Sequence, residues 1–208
     1  MRKEGLKFVL GGLGAALAGA GWAARGETCW LALSVLGVLF AAFCAYFFRD
    51  PDRTPPSDPA LILSPGDGRV LTVAKEGPGS VTTVRIFLSV FDVHVQRLPC
   101  SGVVEKYHYQ PGAFHMAMDK EARENERAVV TIRVAGRSET LAVEQIAGFV
   151  ARRILTWVKP GDQAVAGERY GLIQFGSQAA VHLPESAEAL VKPGDRVSAG
   201  LTPIARWR

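Results

Sequence analysis

The chain has 208 residues, a formal net charge of +4 and a pI near 9.1; that length allows one modest domain plus an appendage, and that charge favours an anionic partner. No Lys/Arg block is interleaved with aromatics as nucleic-acid modules require, so the expected partner is an anionic membrane and not nucleic acid. The three cysteines contain no Cys-x-x-Cys pair and the four histidines show no zinc-ligand spacing, which argues against a disulfide framework and against a bound metal.

Two apolar runs open the chain. Residues 8–24 are rich in Gly and Ala, and residues 29–48 are charge-free and bulkier. About 20 helical residues span a hydrocarbon core, so the second run can cross alone, whereas the first is short for it. Gly11, Ala15 and Gly19 form a small-xxx-small series that would admit a neighbouring helix. Arg2, Lys3 and Lys7 resemble the start of a signal peptide, but a second apolar run follows after only Arg25-Gly26-Glu27-Thr28. That spacing predicts a helical hairpin over residues 1–48. Basic residues flank it on both outer sides (Arg2, Lys3, Lys7; Arg49, Arg53), which puts both ends in the cytoplasm by the positive-inside tendency.

Residues 49–208 read as a separate, mainly β (α+β) domain. Arg49-Asp50-Pro51-Asp52-Arg53-Thr54-Pro55-Pro56 is charged and proline-rich, so it stays extended. Runs at 69–73, 81–88, 129–134 and 141–146 alternate apolar with polar residues and are rich in β-branched side chains, as half-buried strands are. Residues 121–127 are a charged loop or short turn, and 172–181 is a strand-like apolar run. Val158-Lys159-Pro160-Gly161-Asp162, followed by Ala166-Gly167, is echoed by Val191-Lys192-Pro193-Gly194-Asp195, followed by Ala199-Gly200. Pro-Gly-Asp favours a tight turn, so the echo predicts two equivalent corners in a barrel-sandwich-like antiparallel β domain. No lysine sits at a hairpin tip, so the echo speaks for fold and not for a carrier function.

Three residues could carry chemistry. Asp67 lies in Ser64-Pro65-Gly66-Asp67-Gly68, where Asp-Gly is ordinarily a turn. His94 lies in Asp92-Val93-His94-Val95, where a histidine is usually structural and sometimes a proton carrier. Ser177 follows Gly176 in Phe175-Gly176-Ser177. Together with Phe47-Phe48-Arg49-Asp50-Pro51, Glu124-Asn125-Glu126-Arg127 and Gln145-Ile146-Ala147-Gly148, these stretches resemble phosphatidylserine decarboxylase over nearly the whole chain, in its short form.

That resemblance implies self-cleavage between Gly176 and Ser177 into a β chain (1–176) and an α chain (177–208). Residue 177 becomes a pyruvoyl group, the covalent cofactor, which forms a Schiff base with the phospholipid substrate. It further implies His94 as acid and base, with Asp67 orienting it. Longer family members have a second histidine where this chain has Arg97; arginine cannot act as a base, so Arg97 becomes a candidate for the substrate carboxylate or phosphate, with His115 at the pocket rim. Two other readings use the same residues: a membrane-anchored serine hydrolase built on Ser177, His94 and Asp67, for which no Gly-x-Ser-x-Gly elbow is present, and a non-enzymatic barrel-sandwich adaptor. Both require an uncut chain. Oligomeric state is left open, a homo-oligomer included.

Overall fold

A computed structural model describes residues 1–76, 81–113, 124–148, 153–174 and 177–208. The chain divides into two compact units, Met1–Pro51 and Asp52–Arg208.

In the first unit both apolar runs are helical: α1 (Leu6–Ala23) and α2 (Leu31–Phe47). With their leading turns, Lys3–Ala23 and Thr28–Phe47 are each long and apolar enough to cross a membrane. The helices pack antiparallel through their smallest residues. A Cβ at Gly12 would meet the Gly37 carbonyl at 2.8 Å and the Ala41 amide at 2.9 Å; one at Gly19 would meet Ser34 at 2.8 Å. The Ser34 hydroxyl donates to the Ala16 carbonyl at 2.8 Å. The contact face is therefore Gly12, Ala16 and Gly19. The sequence suggested Gly11, Ala15 and Gly19, but a Cβ at Gly11 meets nothing within 4 Å. One residue is about 100° of helix phase, and composition alone does not set that phase.

The second unit is antiparallel β, as expected. Its strands are β1 (Leu61–Leu63), β2 (Gly68–Glu76), β3 (Val81–Leu88), β4 (Val95–Arg97), β5 (Gly102–Gln110), β6 (Arg127–Val134) and β7 (Thr140–Ala147), followed by β8 (Arg153–Thr156), β9 (Gln163–Ala164), β10 (Arg169–Gln174), β11 (Ser177–Leu183), β12 (Ala187–Ala189), β13 (Arg196–Val197) and β14 (Pro203–Trp207). A curled sheet runs β13-β2-β3-β11-β7-β6-β5-β9, accompanied by the three-stranded sheets β1-β14-β12 and β4-β10-β8.

The large sheet is a palindrome. Its two halves correspond strand for strand: β13 with β9, β2 with β5, β3 with β6, β11 with β7. The bulge in β2 between Val70 and Thr72 recurs in β5 between Val104 and Lys106. A Cβ at Gly68 would strike the Phe87 carbonyl, and one at Gly102 the Arg133 carbonyl. The Pro-Gly-Asp corners match bond for bond. Asp162 and Asp195 each accept the amide of the lysine three residues back at 2.9 Å. Gly161 and Gly194 adopt φ of +94° and +93° and donate to the Val104 and Val70 carbonyls at 2.8 Å. The pseudo-axis passes between Val181 and Val143, which face each other across β11 and β7. Val84 flanks one and Val130 the other. All four valines are fully buried and belong to the main apolar core.

The helix contact yields a differential test. Gly12→Val should separate α1 from α2 and lower the thermal stability of the detergent-solubilised hairpin, whereas Gly11→Val should leave it unchanged. Equal effects of the two would exclude this contact face.

Candidate active site

The run 172–181 is not one strand. β10 ends at Gln174 and β11 begins at Ser177, and the two belong to different sheets. The backbone of Ser177 is in register with Leu88 of β3 and Ala147 of β7, so this residue opens an interior strand. Gly176 and His115 lie outside the described residues.

His94 is fully buried just ahead of β4. Its Nδ1 lies 3.0 Å from the Asp92 carbonyl. A carbonyl only accepts, so Nδ1 carries the proton in this contact. The His94 carbonyl accepts the Ile173 amide at 3.3 Å. Ile173 packs with Ala147 and Ile154 in a small apolar cluster, and Ala147 is the register partner of residue 177. These contacts tie His94 and the start of β11 to one end of β7 and β10. Asn125, buried, donates from Nδ2 to the Ala147 carbonyl at 2.8 Å, and the Ala147 amide donates to the Glu126 carbonyl at 2.8 Å. The sequence motif containing Asn125 pointed here without disclosing this role.

Asp67 has different partners. Its Oδ1 accepts from Arg53 at 2.6 Å and from the Ala199 amide at 2.7 Å, and its Oδ2 accepts from Arg53 at 2.9 Å. In the other half of the sheet Ser101 Oγ accepts the Ala166 amide at 3.0 Å. Asp67 and Ser101 are thus matching caps on matching corners. The structure brings Asp67 to Arg53 and the Ala199 corner, while the ring of His94 is held by the backbone of Asp92. Arg97, also buried, donates from Nη1 to the Gly167 carbonyl at 2.8 Å. It lines a cleft of about 410 Å³ with Arg53, Pro55, Gly167, Glu168 and Arg169. Arg97 is the register partner of Arg169.

On β7 and β11 a second polar group is assembled. Thr83 Oγ1 lies 3.0 Å from His182 Nδ1, and His182 Nε2 lies 3.3 Å from Glu144 Oε2. Arg127 donates to Glu144 Oε1 at 3.1 Å. Burial raises the Glu144 carboxyl, but the His182 hydrogen bond and the charges of Arg127, His182 and Arg85 outweigh it, leaving the pKa below the ordinary 4.5. Cys100, by contrast, is pushed up to about 12 by burial, so its thiol is not a nucleophile near neutral pH.

Known proteins resemble this chain over most of its length. Residues 40–205 match the family model for phosphatidylserine decarboxylase. A phosphatidylserine decarboxylase proenzyme of Solibacter usitatus is 46% identical over 188 residues, covering 88% of this chain and 90% of the relative. Proenzymes of the same description from Symbiobacterium thermophilum and Saccharopolyspora erythraea are 48% and 45% identical, covering 85% of this chain in each case and 84% and 78% of the relatives.

The Glu144 pair predicts the acid limb of stability. Its carboxylate is favoured by folding, so its contribution is complete above the unfolded value and disappears as pH falls through the lower folded value. Glu144→Gln should lower stability at neutral pH and flatten the loss below about pH 4.5; denaturant titrations at several pH values would measure both. An unaltered acid limb would remove Glu144 from this role.

Proposed function

The chain belongs to the phosphatidylserine decarboxylase family, and on that premise we propose that it is a proenzyme that cuts itself between Gly176 and Ser177 and then converts phosphatidylserine to phosphatidylethanolamine. The observation that carries this reading is the position of residue 177 at the head of an interior strand paired on both sides. A cut made there leaves the new terminus held by β3 and β7, and the fragment beyond it still contributes β12, β13 and β14 to their sheets.

In the cleavage, a base takes the Ser177 hydroxyl proton as the oxygen attacks the Gly176 carbonyl; the amide C–N bond breaks as the ester C–O bond forms. Loss of the Ser177 α-proton then expels the Gly176 carboxylate and leaves dehydroalanine, and water converts this to a ketone and ammonia. Serine is a weak nucleophile unaided, and His94, an imidazole oriented through Nδ1 and tied by its backbone to β10, suits the base. Once formed, the pyruvoyl group supplies a carbonyl that condenses with the substrate amine and accepts electrons as carbon dioxide leaves. His94 then returns one proton to the substrate α-carbon, which balances the carbon dioxide lost. Asp67 acts as a positioning residue through Arg53 and the corner at Ala199. Arg97 and Arg169 offer guanidinium groups to the headgroup phosphate or carboxylate.

The helical hairpin anchors the domain to the membrane that holds its substrate. The basic residues flanking the hairpin (Arg2, Lys3 and Lys7 before it, Arg49 and Arg53 after it) put that domain on the cytoplasmic side.

Intact-mass measurement of purified protein should find two fragments that separate only under denaturing conditions, the smaller blocked to Edman degradation and sensitive to borohydride. Ser177→Ala should give one uncut chain without decarboxylase activity; a cut or active variant would exclude the proposal, and an uncut native chain would favour a hydrolase or adaptor. His94→Ala should reduce turnover by about 10²–10⁴-fold, the range of lost acid–base catalysis, and normal turnover would remove it from the site.

A further inference from the structure

Between β3 and β4, residues 89–93 form a tight turn. The Asp92 carboxylate accepts the Ser89 amide at 2.9 Å, the Ser89 carbonyl accepts the Asp92 amide at 2.8 Å, and the Ser89 hydroxyl accepts the Phe91 amide at 3.3 Å. A closely braced backbone thus presents Phe91, whose surface is 65% exposed. A large aromatic this exposed on a braced turn is a candidate contact surface.

Beside it lies a pair of arginines, of which Arg69 donates from Nη1 to the Gly194 carbonyl at 3.1 Å. Arg69 of β2 and Arg196 of β13 are direct register partners, and both are exposed. Like charges facing each other weaken a strand pair. The pseudo-symmetric half serves as an internal control: there the facing pair is Val103 and Gln163. The same corner therefore forms without either arginine. Arg196 Nη2 also donates to Asp92 Oδ1 at 3.0 Å, which joins the arginine pair to the aromatic turn as one surface.

We propose that Phe91, Arg69 and Arg196 form a docking tip for the interface of an anionic phospholipid bilayer. The ring enters the boundary between headgroups and acyl chains, and the guanidinium groups meet lipid phosphates. Charge complementarity selects this occupant, since a tip carrying two exposed arginines beside an aromatic matches a negative leaflet. Asp92 links docking to chemistry: its carboxylate braces the turn, and its carbonyl holds His94. The proposal rests on the reading above, in which the substrate is a membrane lipid.

The test uses the full chain carrying Phe91→Trp, reconstituted in phosphatidylcholine vesicles with increasing phosphatidylglycerol and with lipids brominated near the top of the acyl chain. The difference in emission from the native chain isolates position 91. Bromolipid should quench that emission, increasingly so with phosphatidylglycerol. Arg69→Gln and Arg196→Gln should each lower the docked-to-undocked ratio about fivefold, the effect of one basic residue at an anionic surface. Emission that stays unquenched by bromolipid and open to aqueous iodide would overturn the proposal. Protection from iodide without bromolipid quenching would overturn it too, assigning the tip to a protein partner or a second copy. Phosphatidylglycerol carries no amine to decarboxylate, so the result is independent of turnover: an inactive native chain counts against the proposed function, and absent quenching counts against the tip.

Discussion

The pairing of β7 with β11 is the contact on which the domain depends. Four fully buried valines, Val84, Val181, Val143 and Val130, face one another in sequence across β3, β11, β7 and β6. Each is worth about 1.5–3 kcal/mol on burial, an upper estimate because the unfolded chain is already partly collapsed. The row lies on the pseudo-axis, so it closes both halves of the sheet at once. It also ties the segment after residue 176 to the segment before it by side chains as well as by ladder hydrogen bonds. The proposed cut at the head of β11 would leave this row joining the two fragments.

Several candidate site residues stand where the two halves differ. The repeated corners, bulges and glycine contacts are the same on both sides, because each solves the same problem of turning a strand back onto its sheet. Asp67 caps its corner as Ser101 caps the other, yet only the aspartate also binds an arginine. Arg69 and Arg196 stand where the other half has Val103 and Gln163. The turn carrying Phe91 and leading to His94 belongs to this same half. What repeats builds the domain, and what departs from the repeat includes the residues proposed to meet a ligand.

Two largely buried carboxylates among the described residues share one arrangement, each facing an opposite charge and a further polar partner. Glu144 is held by His182 and Arg127, and Asp67 by Arg53 and a backbone amide. Such pairs cost much when half is removed, and they brace the strands on which the site stands. The ring of His94 is held through Nδ1 by the backbone carbonyl of Asp92.

Much of this was written in local order. Alternation over residues 81–88 coincides with β3 at both ends, the runs at 129–134 and 141–146 fall within β6 and β7, and the two apolar runs are α1 and α2. The twin Pro-Gly-Asp stretches announced two equivalent corners because proline and glycine restrict the backbone whatever surrounds them. Local periodicity and turn chemistry act over a few residues, so a single chain segment suffices to reveal them. The helix phase that selects Gly12 over Gly11, the division of 172–181 between two sheets and the union of Asp67 with Ala199 were settled by packing. Each depends on which distant surface a residue meets, and that choice is made by the free energy of the assembled core rather than by any neighbouring residue along the chain.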